Sequence, residues 1–274
     1  MLKPPFRLAA ILIMLICTAL AAGCTAQNSD TASASPPVSI TSAPPPLPLT
    51  PAPPPPAPTS TSDWEEIGTS VKGLPIRQLT VGHGARKVLF VGGIHGDEPE
   101  GALTTNELPA AFDAAGLADA VTLTIIEDLN PDGRAAQTRG NANGVDVNRN
   151  FPASNFDTGN PANGGEPLNQ PESRTLVEAI DRIAPALVMV AHSWAGKQFI
   201  NFDGPARDLA NRFSAASGLL VEESNSFAPT PGSLGSYVGR DRGIPVLTIE
   251  VLKGSDPQAV WDNLRSALIE AIRG

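Results

Sequence analysis

Cysteine is nearly absent from this chain: two residues in 274, Cys17 and Cys24, both within the first 24 positions. The remainder therefore has no disulfide framework and no cysteine-built zinc site. Nor is there a block of lysine or arginine. With a formal net charge of −9 and a pI of about 4.8, the chain is a poor electrostatic partner for nucleic acid, and none is expected. Tyrosine occurs once, as Tyr237, and histidine three times. No internal repeat of fixed period is visible. The glycine-rich stretch "GGIHGDEPEG" (92–101) lacks the Gly-Lys-Ser/Thr that a phosphate loop requires.

What is present falls into three parts. Residues 1–23 read as an export signal: Lys3 and Arg7 flank an apolar run at 8–22 that is short beside the roughly 20 residues of a membrane span. The run ends in "LAAGC", which resembles a bacterial lipobox, with Cys24 as the lipidated residue that becomes the mature N-terminus. A cleaved signal without lipid and an uncleaved anchor are the alternatives. The expected product is exported to the cell envelope and held on a membrane by its lipid. Residues 24–62 form a proline-rich linker: 31–62 alone carries twelve of the 28 prolines. Proline fixes φ and removes backbone donors, so this stretch makes an extended spacer rather than a core.

From 63 to 274 the pattern is that of a globular domain. Apolar, β-branched runs at 87–93, 121–128, 186–192 and 244–251 read as buried strands, and 99–116, 171–184 and 256–274 have helical spacing. Continuous apolar strands alternating with helices predict an α/β fold with a mixed, largely parallel twisted sheet flanked by helices. The segment 130–170 is long and polar with almost no apolar periodicity, and its arginines and asparagines point to a functional loop.

Chemistry concentrates at the strand ends. His95 and His192 each follow a predicted strand, the place where open α/β sheets bind ligands. With Glu98 they offer two imidazoles and a carboxylate, the set that holds a catalytic zinc while leaving a position for water. Each residue alone has a plainer use: a core histidine, or an acid at a helix start. Glu250 strengthens the set, because an acid inside the apolar "IPVLTIEV" (244–251) is costly without a partner, and a general base beside a metal site is one use for it. Pairing with a buried arginine is the other. Asn148 and Arg149, adjacent in "VDVNRNFP" (145–152), suit the grasp of a carboxylate, and Arg139 adds a second cation to the same loop.

In this order, "HGDE" (95–98), "NPDG" (130–133), "RGNANGVDVNRNFP" (139–152), His192 and "TIE" (248–250) resemble the zinc metallocarboxypeptidases of the carboxypeptidase A type, over about 66–272. Within that family, "RGNANGVDVNRNFP" and "TPGSLGSY" (230–237) look most like the bacterial murein peptide amidases. The resemblance implies one Zn²⁺ per chain held by His95, Glu98 and His192, and Glu250 as the base that activates water. It implies Arg139 as oxyanion stabiliser, and Asn148 with Arg149 as the binders of the substrate's terminal carboxylate. The implied partner is a peptide, namely a cell-wall peptide cut between γ-D-glutamate and diaminopimelate. A carboxypeptidase of ordinary L-amino-acid specificity, an N-acyl amino acid deacylase and a non-catalytic wall-binding lipoprotein are the rival readings. The sequence departs from the digestive enzymes in three ways. Phe227 falls near their mobile tyrosine but has no hydroxyl, Tyr237 sits at an aromatic position of structural character, and Asp97 replaces an arginine.

Overall fold

The computed structural model describes residues 64–102, 104–224 and 230–274. The signal, Cys24 and the linker lie outside the described residues, as does Phe227. No described helix is long and apolar enough to cross a membrane.

Four strands form the centre: β3 (Arg86–Val91), β4 (Val121–Ile126), β5 (Leu187–Trp194) and β8 (Val246–Leu252). They run parallel in the order β4-β3-β5-β8. They read as unbroken apolar runs because both sheet faces are covered. Along β3, Val88 and Phe90 join one core, with helices α1 (Thr104–Ala114), α4 (Arg207–Ser217) and α5 (Pro257–Arg273) around it. Leu89 and Val91 join the other, with α3 (Pro171–Ile183) and the segment near Phe151 and Leu234. Burying a leucine- or phenylalanine-sized side chain contributes about 1.5–3 kcal/mol, so these two layers supply most of the cohesion.

The mixed character comes from the edges. β1 (Glu65–Thr69) and β2 (Pro75–Val81) add antiparallel strands beside β4, while β6 (Phe199–Asp203) pairs antiparallel with β8 and carries β7 (Leu220–Glu223). None of these four was expected, since short or half-exposed strands leave a weak apolar pattern. The 130–170 segment is also less loop-like than expected. It opens with α2 (Pro131–Ala136), whose first turn is capped by the Asn130 side chain accepting from the Gly133 N–H, 2.9 Å. The helical stretch expected at 99–116 is divided into a 3₁₀ turn, Pro99–Ala102, followed by α1.

The rest of that segment holds its shape through buried polar contacts. Asn150 is fully buried; its amide donates to the carbonyls of Asn163 (2.7 Å) and Glu166 (2.9 Å) and to Asn169 Oδ1 (2.9 Å). Its Oδ1 accepts from the Ser173 hydroxyl at 2.7 Å and the Gln170 N–H at 3.2 Å. Asn141 donates to Gln170 and Glu172 on the same side. A leucine-style core cannot close a loop so rich in backbone polar groups, and this network does it instead.

Asn150→Ala removes five hydrogen bonds made by one fully buried side chain and is expected to lose roughly 3 kcal/mol. That corresponds to a melting temperature about 6–12 °C lower for a domain of this size. Calorimetry checks it; a shift of under about 2 °C contradicts the role given to this side chain.

Candidate metal centre and active cavity

β3 connects through α1 to β4 on one side, and β5 lies on its other side. The winding therefore reverses between β3 and β5, the switch point where α/β sheets open a crevice. His95 sits just past β3, as expected. His192 lies inside β5 rather than beyond it, with its side chain on the same face as Val188 and Val190. Glu250 is its ladder partner on β8, so strand pairing alone puts the two side by side. The turn carrying His95 packs directly on the start of α2: a Cβ at Gly96 would collide with the Gly133 backbone, and one at Gly133 with the Asn130 side chain and the Gly140 carbonyl, which explains the glycines of "HGDE" and "NPDG".

His95, Glu98 and His192 are all buried, and one donor atom from each lies within 4.8 Å of the others. Glu98 stands between the imidazoles, with His95 Nδ1 2.9 Å from Oε1 and His192 Nδ1 2.8 Å from Oε2. The Ser193 N–H donates to Oε2 as well, at 3.2 Å. Burial alone raises a carboxyl's pKa, yet His192 and His95 outweigh it and hold Glu98 far below the usual carboxylate range. The donor chemistry fits zinc: two imidazole nitrogens and a carboxylate oxygen, one short of a tetrahedron.

Asp146 was not singled out in the sequence. Its Oδ1 is 3.1 Å from His95 Nε2, its Oδ2 accepts from Arg139 Nε at 2.9 Å, and it caps the Asn148 N–H at 2.9 Å. Burial opposes ionisation there, but His95, Arg139 and Arg149 keep the carboxyl well below its ordinary range. For His95 the balance runs the other way: burial lowers its pKa, and Asp146 and Glu98 raise it by more. A carboxylate on the far ring nitrogen fixes the tautomer that leaves Nδ1 free for a metal. The available signal was "VDV": Val145 and Val147 are apolar flanks in an otherwise polar loop, and both are buried.

One cavity of about 520 Å³ is lined by all seven predicted residues of the domain: His95, Glu98, Arg139, Asn148, Arg149, His192 and Glu250. Arg139 is half-exposed at its mouth and donates to Glu98 Oε1 at 3.1 Å. Asn148 is held by the Leu234 N–H, which donates to its Oδ1 at 2.9 Å, and its amide lies 3.4 Å from His192 Nε2. Arg149 donates to the Asn148 carbonyl and has no carboxylate within ion-pair distance among the described residues, leaving its fork available to an anion. Glu250 Oε2 is buried with no hydrogen-bond partner among the described residues. Burial, helped by the nearby Glu98 charge, pushes its pKa up to about 7 against the pull of His192 and Arg139. The buried-arginine partner considered for Glu250 is not found among the described residues. Asp97 forms an ion pair with Lys253, 2.8 Å, at the rim, and Tyr237 is partly buried against the second core.

Asp146→Asn should weaken zinc affinity roughly 10–100-fold, as loss of a carboxylate behind a ligand histidine does. Competition with a fluorescent chelator measures it, and an unchanged zinc Kd contradicts the orienting role.

Comparison with known proteins places these features in a family. A profile of the family described as zinc carboxypeptidase matches residues 59–208, which include every cavity residue above except Glu250 and those beyond 208. Murein peptide amidase A of Escherichia coli K12 is 29% identical over 202 residues, covering 68% of this chain and 80% of that protein. Gamma-D-glutamyl-L-diamino acid endopeptidase 1 of Lysinibacillus sphaericus is 25% identical over 247 residues, covering 70% and 61%. Among solved structures, the murein-tripeptide amidase of Escherichia coli O157 superposes with a TM-score of 0.64 at 27% identity, covering 77% of this chain and 92% of the other.

Proposed function

The chain belongs to the zinc carboxypeptidase family and is a hydrolase with zinc as its cofactor; from that premise we propose that it cleaves murein peptides at the amide preceding a residue with a free carboxylate. The bond is that between γ-D-glutamate and diaminopimelate. The observation that carries this reading is the placement of the unpaired Arg149, the His-Glu-His donor set and the partnerless Glu250 carboxyl in one cavity. The names of the relatives, murein peptide amidase and γ-D-glutamyl-diamino acid endopeptidase, supply the substrate class.

In this reading His95, Glu98 and His192 hold the zinc. When bound, zinc polarises the scissile carbonyl and makes water a stronger acid. Arg149 and Asn148 grip the terminal carboxylate, which sets the register of the scissile amide in the cavity and converts much of the encounter entropy into orientation. Glu250 takes the proton of the attacking water on its carboxylate and passes it to the departing amine. Its elevated pKa near neutrality suits both steps, and a cation bound beside it would bring it back down toward the ionised form. Arg139, beside Glu98, offers positive charge to the oxyanion, an interaction worth on the order of 3–4 kcal/mol in a site with little water.

We extend the proposal to location: the lipobox-like "LAAGC" and the proline-rich spacer support an envelope enzyme tethered through Cys24, within reach of wall peptides.

Glu250→Gln should keep about one zinc per chain while kcat falls by roughly 10²–10⁴. Near-normal turnover of the variant contradicts the base assignment. Incubation with the tripeptide L-alanyl-γ-D-glutamyl-diaminopimelate should release free diaminopimelate, and a panel of hippuryl peptides should be cut far more slowly. The reverse preference would mark an ordinary carboxypeptidase.

A further inference from the structure

Three cations line the cavity, Arg139, Arg149 and Lys253, and the reaction set out above uses only the two arginines. Lys253 stands at the opposite end from Arg149. The Arg149 end is marked by Asn148, held by the Leu234 N–H, and by Gly235, which abuts Asp203, the ladder partner of Val246 on β8. From Val246 the strand climbs past Thr248 to Glu250 and then, beyond its end, to Lys253. The last step is three residues, about 10 Å at roughly 3.3 Å per residue. His192 and Glu250, paired across β5 and β8, therefore lie between the two cations. A substrate whose terminal carboxylate sits on Arg149 keeps its leaving residue on that side and turns its acyl side toward Lys253.

Lys253 is fixed at both ends. Its backbone N–H donates to the Trp194 carbonyl at 3.0 Å, which extends the β5–β8 contact by one step. The next N–H, of Gly254, donates to the buried Glu100 at 2.6 Å. At the other end, Lys253 Nζ donates to Asp97 Oδ2 at 2.8 Å, and Asp97 immediately precedes Glu98 of the donor set. One of three ammonium N–H groups is thereby engaged, and Nζ meets no other acceptor among the described residues. The side chain remains 38% exposed, so the other two donors face the rim. A half-exposed ion pair contributes little to stability. This one also leaves Asp97 Oδ1 buried without a donor among the described residues, a cost that the pair's own attraction does little to offset. What the pair does provide is an ammonium held in place beside the donor set before any substrate arrives.

We infer that Lys253 receives the α-carboxylate that a γ-linked glutamyl residue carries on the acyl side of the scissile bond, and so selects γ-linked over α-linked peptides; the inference rests on the hydrolytic reading of the same site. In a γ-glutamyl amide the free carboxylate lies four bonds beyond the scissile carbon, about 5 Å when extended. An α-linked residue has no anion there. The glutamyl chain runs from the reacting carbonyl, near Glu250, along the end of β8, and its carboxylate meets the ammonium in a charge-assisted contact. Asp97 keeps the lysine from swinging onto the Glu98 or Glu250 carboxylates, a movement its flexible four-carbon stem would otherwise allow.

The test uses the full-length zinc-loaded chain and two peptides: L-alanyl-γ-D-glutamyl-diaminopimelate, and its D-isoglutamine counterpart, in which the α-carboxylate is a neutral carboxamide. The wild type should favour the first by at least about 10-fold in kcat/KM. In Lys253→Met that ratio should fall to within about threefold of unity. The double variant Asp97→Asn with Lys253→Met, which keeps the net charge of the rim, should show the same loss. Return of the preference in the double variant overturns the inference, because the lysine would then serve only to neutralise Asp97. Equal rates on the two peptides with wild type overturn it too, whether or not any variant folds. So does a Lys253→Met that loses activity on both in proportion, since that marks a structural role. Glutaryl-phenylalanine and pentanoyl-phenylalanine, whose acyl groups differ in the same carboxylate, separate this inference from the murein assignment. A Lys253-dependent preference for the glutaryl compound, with no cleavage of either γ-linked peptide, sinks the murein reading and keeps the inference. Cleavage of both γ-linked peptides without preference does the opposite.

Discussion

A single carboxylate, Glu98, organises this molecule's chemistry by standing between two buried imidazoles. Each oxygen is within hydrogen-bond distance of one ring, the Ser193 N–H and Arg139 reach the same group, and Asp146 closes the back of His95. Three distant parts of the chain meet there: the turn after β3, the end of β5 and the loop carrying Asp146. A buried charge of this kind persists only when paired, so the surrounding contacts are mutually dependent. The same dependence makes the cluster a natural seat for a divalent ion, which satisfies both rings and the carboxylate at once.

The fold supplies this meeting point through connectivity. Reversal of the winding between β3 and β5 opens the sheet where His95 and His192 stand, and parallel pairing of β5 with β8 sets Glu250 next to His192. The walls come from irregular structure fixed by polar contacts. Asn148 is tied to the backbone at Leu234, and Asn150 knits the 130–170 segment to the start of α3. Precision in the cavity thus rests on satisfied hydrogen bonds as much as on apolar packing.

The four central strands and three of the helices were legible in the sequence because burial on both faces forces continuous apolar runs, and helices facing a core keep a 3.6-residue rhythm. His95, Glu98, His192, Glu250, Asn148, Arg149 and Arg139 were legible as a set, through the order of motifs that resembles the zinc metallocarboxypeptidases, although most of them have a plainer use when taken alone; all seven line one cavity. The edge strands were not. Leu220 in β7 is 72% exposed, so its strand shows little apolar alternation, and β1 is mostly exposed. Asp146 escaped notice for a different reason. It looks like an ordinary loop acid until the folding back of the 139–150 loop sets it against His95. Long-range pairing is the information a local pattern does not carry.

The most direct measurement of the central claim is diffraction at the zinc absorption edge from crystals of the protein purified without added metal. The account predicts one anomalous peak, about 2.0–2.2 Å from a nitrogen of His95, a nitrogen of His192 and an oxygen of Glu98, with Glu250 on the open side. A full-occupancy zinc peak elsewhere in the molecule, or imidazoles and carboxylate that ignore an ion supplied in excess, would contradict it.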